Sequence, residues 1–304
     1  MIELDETNPF DQSYHAMLYR ILTEGVRKSD RTGTGTLAVF GHFQRFDLTR
    51  GFPLITTKQI HLKSILHELL WMLSGSTNVQ YLQDNGVRIW NEWADEKGEL
   101  GPVYGSQWRA WARFYEETPN SGVTAVEFID QIAQIVHKLR NKPWDRRIML
   151  SAWNVAEIDR MKLPPCHFNA QFNVQPKNPV IGYHAHVETR QEDPVPGKLN
   201  CVMNIRSWDT FLGGPFNIAQ YALLTMMLAQ VAGLEPGELC ICSGDTHVYL
   251  NHLEQVREQL SRTPNPPPRM ILDPSITEID DFKFEHFRIE GYDPHPHIKG
   301  EVSV

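Results

Sequence analysis

The chain lacks most of the features that assign a class at a glance. No run approaches the ~20 consecutive apolar residues of a membrane-spanning helix. The opening, MIELDETNPF, is acidic and carries no apolar core of signal-peptide length, so a cytoplasmic location is expected. Positive charge is in deficit: 29 Lys and Arg stand against 37 Asp and Glu, a net −8. Such a chain has no general electrostatic reason to bind nucleic acid or an anionic membrane. Cysteine is scarce. Cys166, Cys201, Cys240 and Cys242 form no CxxC pair and no His/Cys array with zinc spacing, so free thiols and no metal site are expected. No internal repeat and no composition shift marks a boundary, which points to a single domain over 1–304.

What is present is a mixture of helical and strand patterns without regular βαβ alternation, so the expected class is α/β in the α+β sense. Asp11 precedes Leu18, Ile21, Leu22 and Val26 at helical spacing. The segment 31–48 reads as a loop and strands, and 61–73 is apolar on nearly every face, a buried helix. A short helix is expected over 76–85, stopped by Gly86. Val126, Ile129, Ile132, Ile135, Val136 and Leu139 suggest one further helix ending before Pro143. Strand composition marks 147–153, 168–174, 201–207 and 282–292, and helices are expected over 215–233 and 246–262. The polar, proline-rich stretch at about 175–198 reads as an inserted hairpin or loop. Cys240 and Cys242 alternate in ELCICSG as two positions on one strand face, with core packing the expected role.

A few residues sit where packing alone does not explain them. Glu68 is an ionisable group in an apolar helix and needs a partner or a task. Cys166 stands in LPPCHFNAQF, between a Pro-Pro turn and a strand. On local pattern alone a buried, inert thiol is the commoner outcome. A reactive one needs a nearby cation, and arginine suits that better than His167, which as a strand neighbour points to the opposite face. Arg31, Arg146, Arg147 and Arg206, with Ser207, are candidate phosphate ligands, although surface ion pairs are the usual fate of arginine pairs. RTGTGT lacks the GK[ST] ending of a phosphate loop and does not open a helix. Asp209 and Asn217 bracket FLGGPF. Asn217 is either a helix cap or a reader of a carbonyl and ring N–H pair. His247 and Tyr249 can bond a sugar hydroxyl or merely form a turn, and Trp90 and Trp93 can stack on a heterocycle or fill core.

Together DRTGTGT (30–36), FPLITTKQIHLKSILHELLWML (52–73), IWNEWAD (89–95), GPVYGSQWR (101–109), DRRIMLSAWN (145–154), LPPCH (163–167), RSWDTFLGGPFNIAQYALL (206–224), GDTHVYLNH (244–252) and EGYDPHP (290–296) closely resemble the thymidylate synthase family, in one order and over roughly 14–304. The resemblance reverses the odds on Cys166. It implies a mixed sheet with surrounding helices, two such sheets packing back to back in a homodimer, and reductive methylation of dUMP to dTMP with 5,10-methylenetetrahydrofolate. It implies that Cys166 is the nucleophile and that Glu68 organises proton transfer. Tyr104, His167, Asp209 and Asn217 complete the catalytic network. Arg31, Arg206 and Ser207 would hold the phosphate, with Arg146 and Arg147 reaching it from the partner. Asn217 would read the uracil edge, with Asp209 alongside, and His247 and Tyr249 the ribose. His61, Trp90, Trp93, Asp209, Gly213, Phe216 and Val304 would line the folate side.

Two positions depart from the family pattern. Ile205 replaces the usual glutamine before the arginine, and Trp208 the usual small or polar residue after the serine. A pyrimidine nucleotide 5-hydroxymethylase of the same superfamily is the rival reading. Trp90, able to shield an exocyclic methylene from water, and Asn217, suited to uracil rather than cytosine, both favour the synthase. An idle nucleotide- or RNA-binding module fits poorly with intact Cys166, Glu68 and Asn217 and a charge of −8.

Overall fold

A computed structural model describes residues 8–116, 124–177 and 195–303. Helix α1 (Pro9–Glu24) starts at Asn8, whose side chain accepts from the backbone N–H groups of Phe10 and Asp11. This cap, with Pro9 at the first helical position, places the start before Asp11 rather than after it. Asp11 instead binds outward. Its buried carboxylate accepts from the N–H and hydroxyl of both Thr56 and Thr57, at 2.8–3.2 Å, and from Asn8 Nδ2 at 2.8 Å. Asp11→Ala would strand these donors away from water. A loss of about 3 kcal/mol or more is expected, read as a lowered urea midpoint with an unchanged slope.

Gly25 ends α1. A Cβ there would stand 2.3 Å from the Ile21 carbonyl oxygen, so only glycine lets the chain turn. Val26 therefore leaves the helical pattern and enters β1 (Val26–Lys28), which pairs antiparallel with β2 (Thr36–Asp47). Helix α2 (Leu62–Leu73) is buried on most sides, as its composition demands, and α3 (Gln80–Asp84) is a short turn before Gly86. Helix α4 (Tyr104–Arg109) leads into a hairpin of β3 (Trp111–Glu116) and β4 (Thr124–Ile129).

This hairpin overturns one expectation. Val126 and Ile129 lie on β4, and helix α5 (Gln131–Asn141) begins only after Asp130, whose carboxylate caps the Ala133 N–H at 2.9 Å. The cap fixes the start, while the β-branched residues before it pair with β3. Residues 117–123 lie outside the described residues.

The main sheet adds β5 (Met149–Ser151), β6 (His167–Pro176), β7 (Pro196–Asp209) and β8 (Glu235–Tyr249) in the order β1-β2-β8-β7-β6-β5. All neighbours are antiparallel except β7 and β8, which run parallel and are joined by α6 (Gly213–Val231). The mixed sheet with surrounding helices expected from the resemblance is what the chain forms. The inserted stretch begins and ends as extensions of β6 and β7, with Gln175 opposite Lys198; residues 178–194 lie outside the described residues.

A second correction concerns 246–262. Thr246–Tyr249 continue β8, paired with Thr36–Val39, and helix α7 covers only Leu253–Leu260. Beyond it, β9 (Arg269–Leu272) pairs with β10 (Phe287–Glu290), so only the second half of the last strand-like run is strand.

Helices α1 and α6 cover one face of the sheet, where Phe46, Phe172, Leu199, Met203, Leu239 and Ile241 are buried. The other face carries Phe43, Met149, Val202, Asn204, Cys240 and Cys242. Phe43 and Met149 are exposed there. The two cysteines do share a face, but it is the one away from the helices, because Leu239 and Ile241 take the covered side. No helix among the described residues is long and apolar enough to cross a membrane.

Candidate active site

Cys166, at the start of β6, meets Tyr104 of α4 and Arg206 of β7, and its charge is coupled to Asp209 of β7 and Tyr249 of β8. The thiol residue is half-buried and precedes β6. Its backbone N–H donates to the Tyr104 hydroxyl at 2.8 Å. Arg206 on β7 fixes the preceding turn by donating from Nε to Pro165 O at 2.9 Å and from Nη2 to Pro164 O at 3.0 Å. Its guanidinium also lies 5.5 Å from the Trp153 ring centroid, within cation–π range. Burial raises the Cys166 thiol pKa. Arg206 opposes that shift, and Asp209 adds to it.

Of the four arginines read from the sequence, Arg206 is the one whose charge lowers the thiol pKa within the subunit. Arg31 is exposed, on the loop before β2, and its charge is felt by Tyr249. Arg146 and Arg147 are exposed beside β5, at the sheet edge, and Arg147 keeps 91% of its side chain in solvent.

Glu68 projects from α2 between two donors. Trp90 Nε1 donates to Oε1 at 2.7 Å, and Gln220 Nε2 donates to Oε2 at 3.0 Å. Burial nevertheless pushes the carboxyl up to about 7, against both hydrogen bonds. Trp90 packs edge-on to Tyr104 at 6.0 Å and to Trp93 at 5.9 Å. Tyr104 in turn stacks on His167 at 4.1 Å. His167 is buried, its Nδ1 lies 2.9 Å from the Tyr221 hydroxyl, and burial pushes its pKa down to about 3. Burial thus keeps it neutral.

On the neighbouring strands, Ser207 and Asp209 of β7 sit opposite Asp245 and His247 of β8. His247 Nδ1 meets Asp245 Oδ1 at 3.0 Å, and Lys28 donates to the other oxygen. The His247 hydrogen bond and then Lys28 hold Asp245 down to about 2. Because the ionised Asp245 can only accept, the bond fixes the Nδ1–H tautomer and leaves Nε2 as the imidazole acceptor. Tyr249 packs edge-on to His247 at 5.3 Å, and burial pushes its phenol up to about 12. Asp209 Oδ1 accepts from the N–H groups of Phe211 and Leu212, which sets the turn into α6. Asn217 is half-buried on α6, and a Cβ on Gly213 would come within 3.7 Å of its Oδ1. Phe216 and Trp93 are half-buried beside the core, and His61, at the start of α2, bonds Ser64 at 2.7 Å.

The two departures are both core residues. Ile205 is 1% exposed and sits opposite His167. Trp208 is 1% exposed and packs under the first turn of α6, where a Cβ on Gly214 would lie 3.6 Å from its Nε1. Its bulk therefore faces the helix that carries Asn217, not the open side of the site.

The C-terminal segment lies over these elements. Glu301 O meets His252 Nε2 at 2.8 Å, and Ser303 meets the Thr34 hydroxyl at 3.1 Å. Val304 lies outside the described residues. Sequence reasoning missed Lys58, whose buried ammonium donates to Phe211 O and lies 3.5 Å from the Phe211 ring centroid. Burial lowers its pKa to about 7, against Asp209. It also missed Asp245 and Gln220. For Gln220 the signal is there: a polar residue in an apolar helix, the same argument that singles out Glu68.

The structure thus gathers Cys166, Glu68, Tyr104, His167, Arg206, Asp209 and Trp90 within one subunit, with Asn217, His247 and Tyr249 on adjoining elements. A cleft of about 630 Å³ lies on the other side of α2, lined by His67, Tyr81 and Phe284, and contains none of these residues. Among the described residues no group of three His, Cys, Asp or Glu could hold a metal ion. The thymidylate synthase family profile matches residues 12–304, nearly the whole chain. The chain therefore belongs to the thymidylate synthase family, whose members are one-carbon-transferring enzymes.

Proposed function

We infer that the protein is a thymidylate synthase that converts dUMP to dTMP with 5,10-methylenetetrahydrofolate. The observation that carries this reading is the convergence of a half-buried Cys166, held by Tyr104 and Arg206, with a buried Glu68 bound by Trp90 and Gln220.

The ring carbon 6 of a uracil is a weak electrophile, and a thiolate is the form of cysteine that attacks it. Addition of the Cys166 sulfur there sends an electron pair toward the 4-carbonyl and makes carbon 5 nucleophilic. The raised thiol pKa of the isolated subunit means that further positive charge is needed to favour the thiolate. Arg206 supplies part of it within the subunit, where Arg31 joins in holding the phosphate, and Arg146 and Arg147 of the partner subunit supply the rest. Both point into solvent from the sheet edge, as a reach across a dimer interface requires. The uncovered sheet face with Phe43, Met149 and Val202 is the surface on which the two subunits pack.

Asn217 presents a donor and an acceptor to the pyrimidine edge, and Ser207 adds a hydroxyl to the phosphate site. The His247 Nε2 and the Tyr249 hydroxyl hold the ribose. The reduced folate supplies the one-carbon unit and the hydride. Trp90, Trp93, Phe216 and the open backbone at Gly213 form an apolar wall that receives its ring system, with His61 and Asp209 at its border. Glu68, with a pKa of about 7, can hold or release a proton beside carbon 5 near neutral pH. The wall also keeps water from an exocyclic methylene on the nucleotide.

Mass analysis of the product formed from dUMP and the reduced folate tests the reading. A nucleotide heavier by CH2, with dihydrofolate released, is the expected result. A nucleotide heavier by CH2O, with tetrahydrofolate retained, would assign the protein as a hydroxymethylase instead.

A further inference from the structure

Helix α6 is buried along most of its length, and Gln220 on it is 1% exposed. A carboxamide carries two N–H donors and one acceptor oxygen. In Gln220 the donor end is used: Nε2 lies 3.0 Å from Glu68 Oε2 and 3.8 Å from the Met72 sulfur. The acceptor end is not. Oε1 is buried and meets no donor in the protein. A buried polar group left without a partner costs about 1–3 kcal/mol, so an idle acceptor beside a titratable acid calls for an explanation.

The two oxygens of Glu68 are not equivalent. Oε1 faces the Trp90 indole, which can only donate, so a proton on Glu68 belongs on Oε2, facing Gln220. With the amide in its present orientation that proton would confront an N–H. Half a turn about the terminal side-chain bond exchanges nitrogen for oxygen at almost the same position and removes the conflict.

We propose that Gln220 is a positioning residue that follows the protonation state of Glu68, donating through Nε2 to the carboxylate and, after half a turn of its amide, accepting through Oε1 from the carboxylic acid. One side chain then supports both forms of the acid in a site that holds it among apolar neighbours. The surroundings of Glu68 leave this task to Gln220. Across from α2, α4 contributes Tyr104, a titratable phenol that feels the Glu68 charge. Helix α6 contributes Tyr221 as well as Gln220, and Tyr221 is bonded to His167. The segment after α3 contributes Trp90. On α2 itself, His67 points away, stacked on Phe284 at 4.6 Å. The inference rests on the reading of Glu68 as the group that handles protons in the reaction.

The test is an NMR titration of the full chain carrying 13C-labelled glutamate and 15N-labelled glutamine, with Glu68→Gln and Gln220→Met used for assignment. The Glu68 carboxyl carbon and the Gln220 side-chain amide are expected to titrate with one midpoint. Gln220→Met removes a partner of both forms, so the Glu68 midpoint is expected to move by less than about half a pH unit, under a roughly threefold change in proton affinity. A Gln220 amide that does not respond at the Glu68 midpoint overturns the proposal, as does a larger rise of the midpoint in Gln220→Met, the mark of a donor fixed on the carboxylate. If that variant does not fold, the parent titration decides alone. Neither readout uses nucleotide or folate. Intact co-titration without dTMP formation would count against the proposed reaction only, and dTMP formation without co-titration against the role of Gln220 only.

Discussion

Cys166→Ala is expected to reduce turnover of dUMP by on the order of 10⁴-fold or more, with the fold retained. The size follows from what the sulfur supplies: without a bond at carbon 6 there is no electron-rich carbon 5. The half-buried site tolerates the change because alanine removes one atom and leaves the backbone N–H of residue 166 bonded to Tyr104. Circular dichroism and the thermal midpoint should match the parent, while product formation falls to background. Cys166→Ala turning over at the parental rate would rule out covalent catalysis by this thiol. Cys201, buried among core residues with its pKa pushed up to about 12, is not a substitute nucleophile.

Glu68→Gln should separate activity from stability. The substitution keeps the shape and the Trp90 contact but cannot exchange a proton, so a loss of about 10²–10⁴ in kcat is expected. Stability should move the other way. The folded pKa, about 7, lies above the ordinary value of 4.5, so as pH rises the unfolded chain releases this proton first. Parent stability therefore falls between about pH 4.5 and 7 and remains lowered above that range. Glutamine removes the effect. At pH 8 the variant should be more stable by up to about 3 kcal/mol, and near pH 4 the two proteins should be equal. Urea midpoints at the two pH values measure it. A variant less stable than the parent at pH 8 would mean that Glu68 is not strained by ionisation in the folded state.

The conflict that poises this acid is already visible in the order of the residues. Helix α2 is apolar on nearly every side, so its one acidic group stands out. The same all-round apolarity marks α6, and Gly25, Gly86 and Pro143 punctuate helices for simple steric reasons. Sequence patterns mislead where a periodicity crosses an element boundary. Val126 and Ile129 stand at helical spacing from Ile132, and only the cap at Asp130 separates strand from helix. Thr246–Tyr249 is too short to show a period of its own, and its strand state is set by pairing with Thr36–Val39, more than two hundred positions earlier.

The site divides in the same way. The chemical identities of Cys166, Glu68, Asn217 and His247 can be read from residue types and the company they keep. Their energetics cannot. Whether a thiol is lowered or raised depends on which guanidinium groups reach it, and within one subunit burial outweighs Arg206. The neutrality of His167 likewise follows from its complete enclosure, which no local pattern encodes. Gln220 shows the limit most clearly. Its position on α6 is visible in the sequence, but its bond to a residue 152 positions away belongs to the packing of α2 against α6.

The strand order has a consequence for biosynthesis. β2 must wait for β8, which is translated about two hundred residues later, before its second edge is satisfied. At ~5–20 residues per second a ribosome needs on the order of 10–40 s to deliver that partner. During this interval an apolar strand bearing Phe40, Phe43 and Phe46 is open to neighbouring nascent chains. Yield in a heterologous host should therefore depend on holdase capacity and on growth temperature more than on the equilibrium stability of the finished protein.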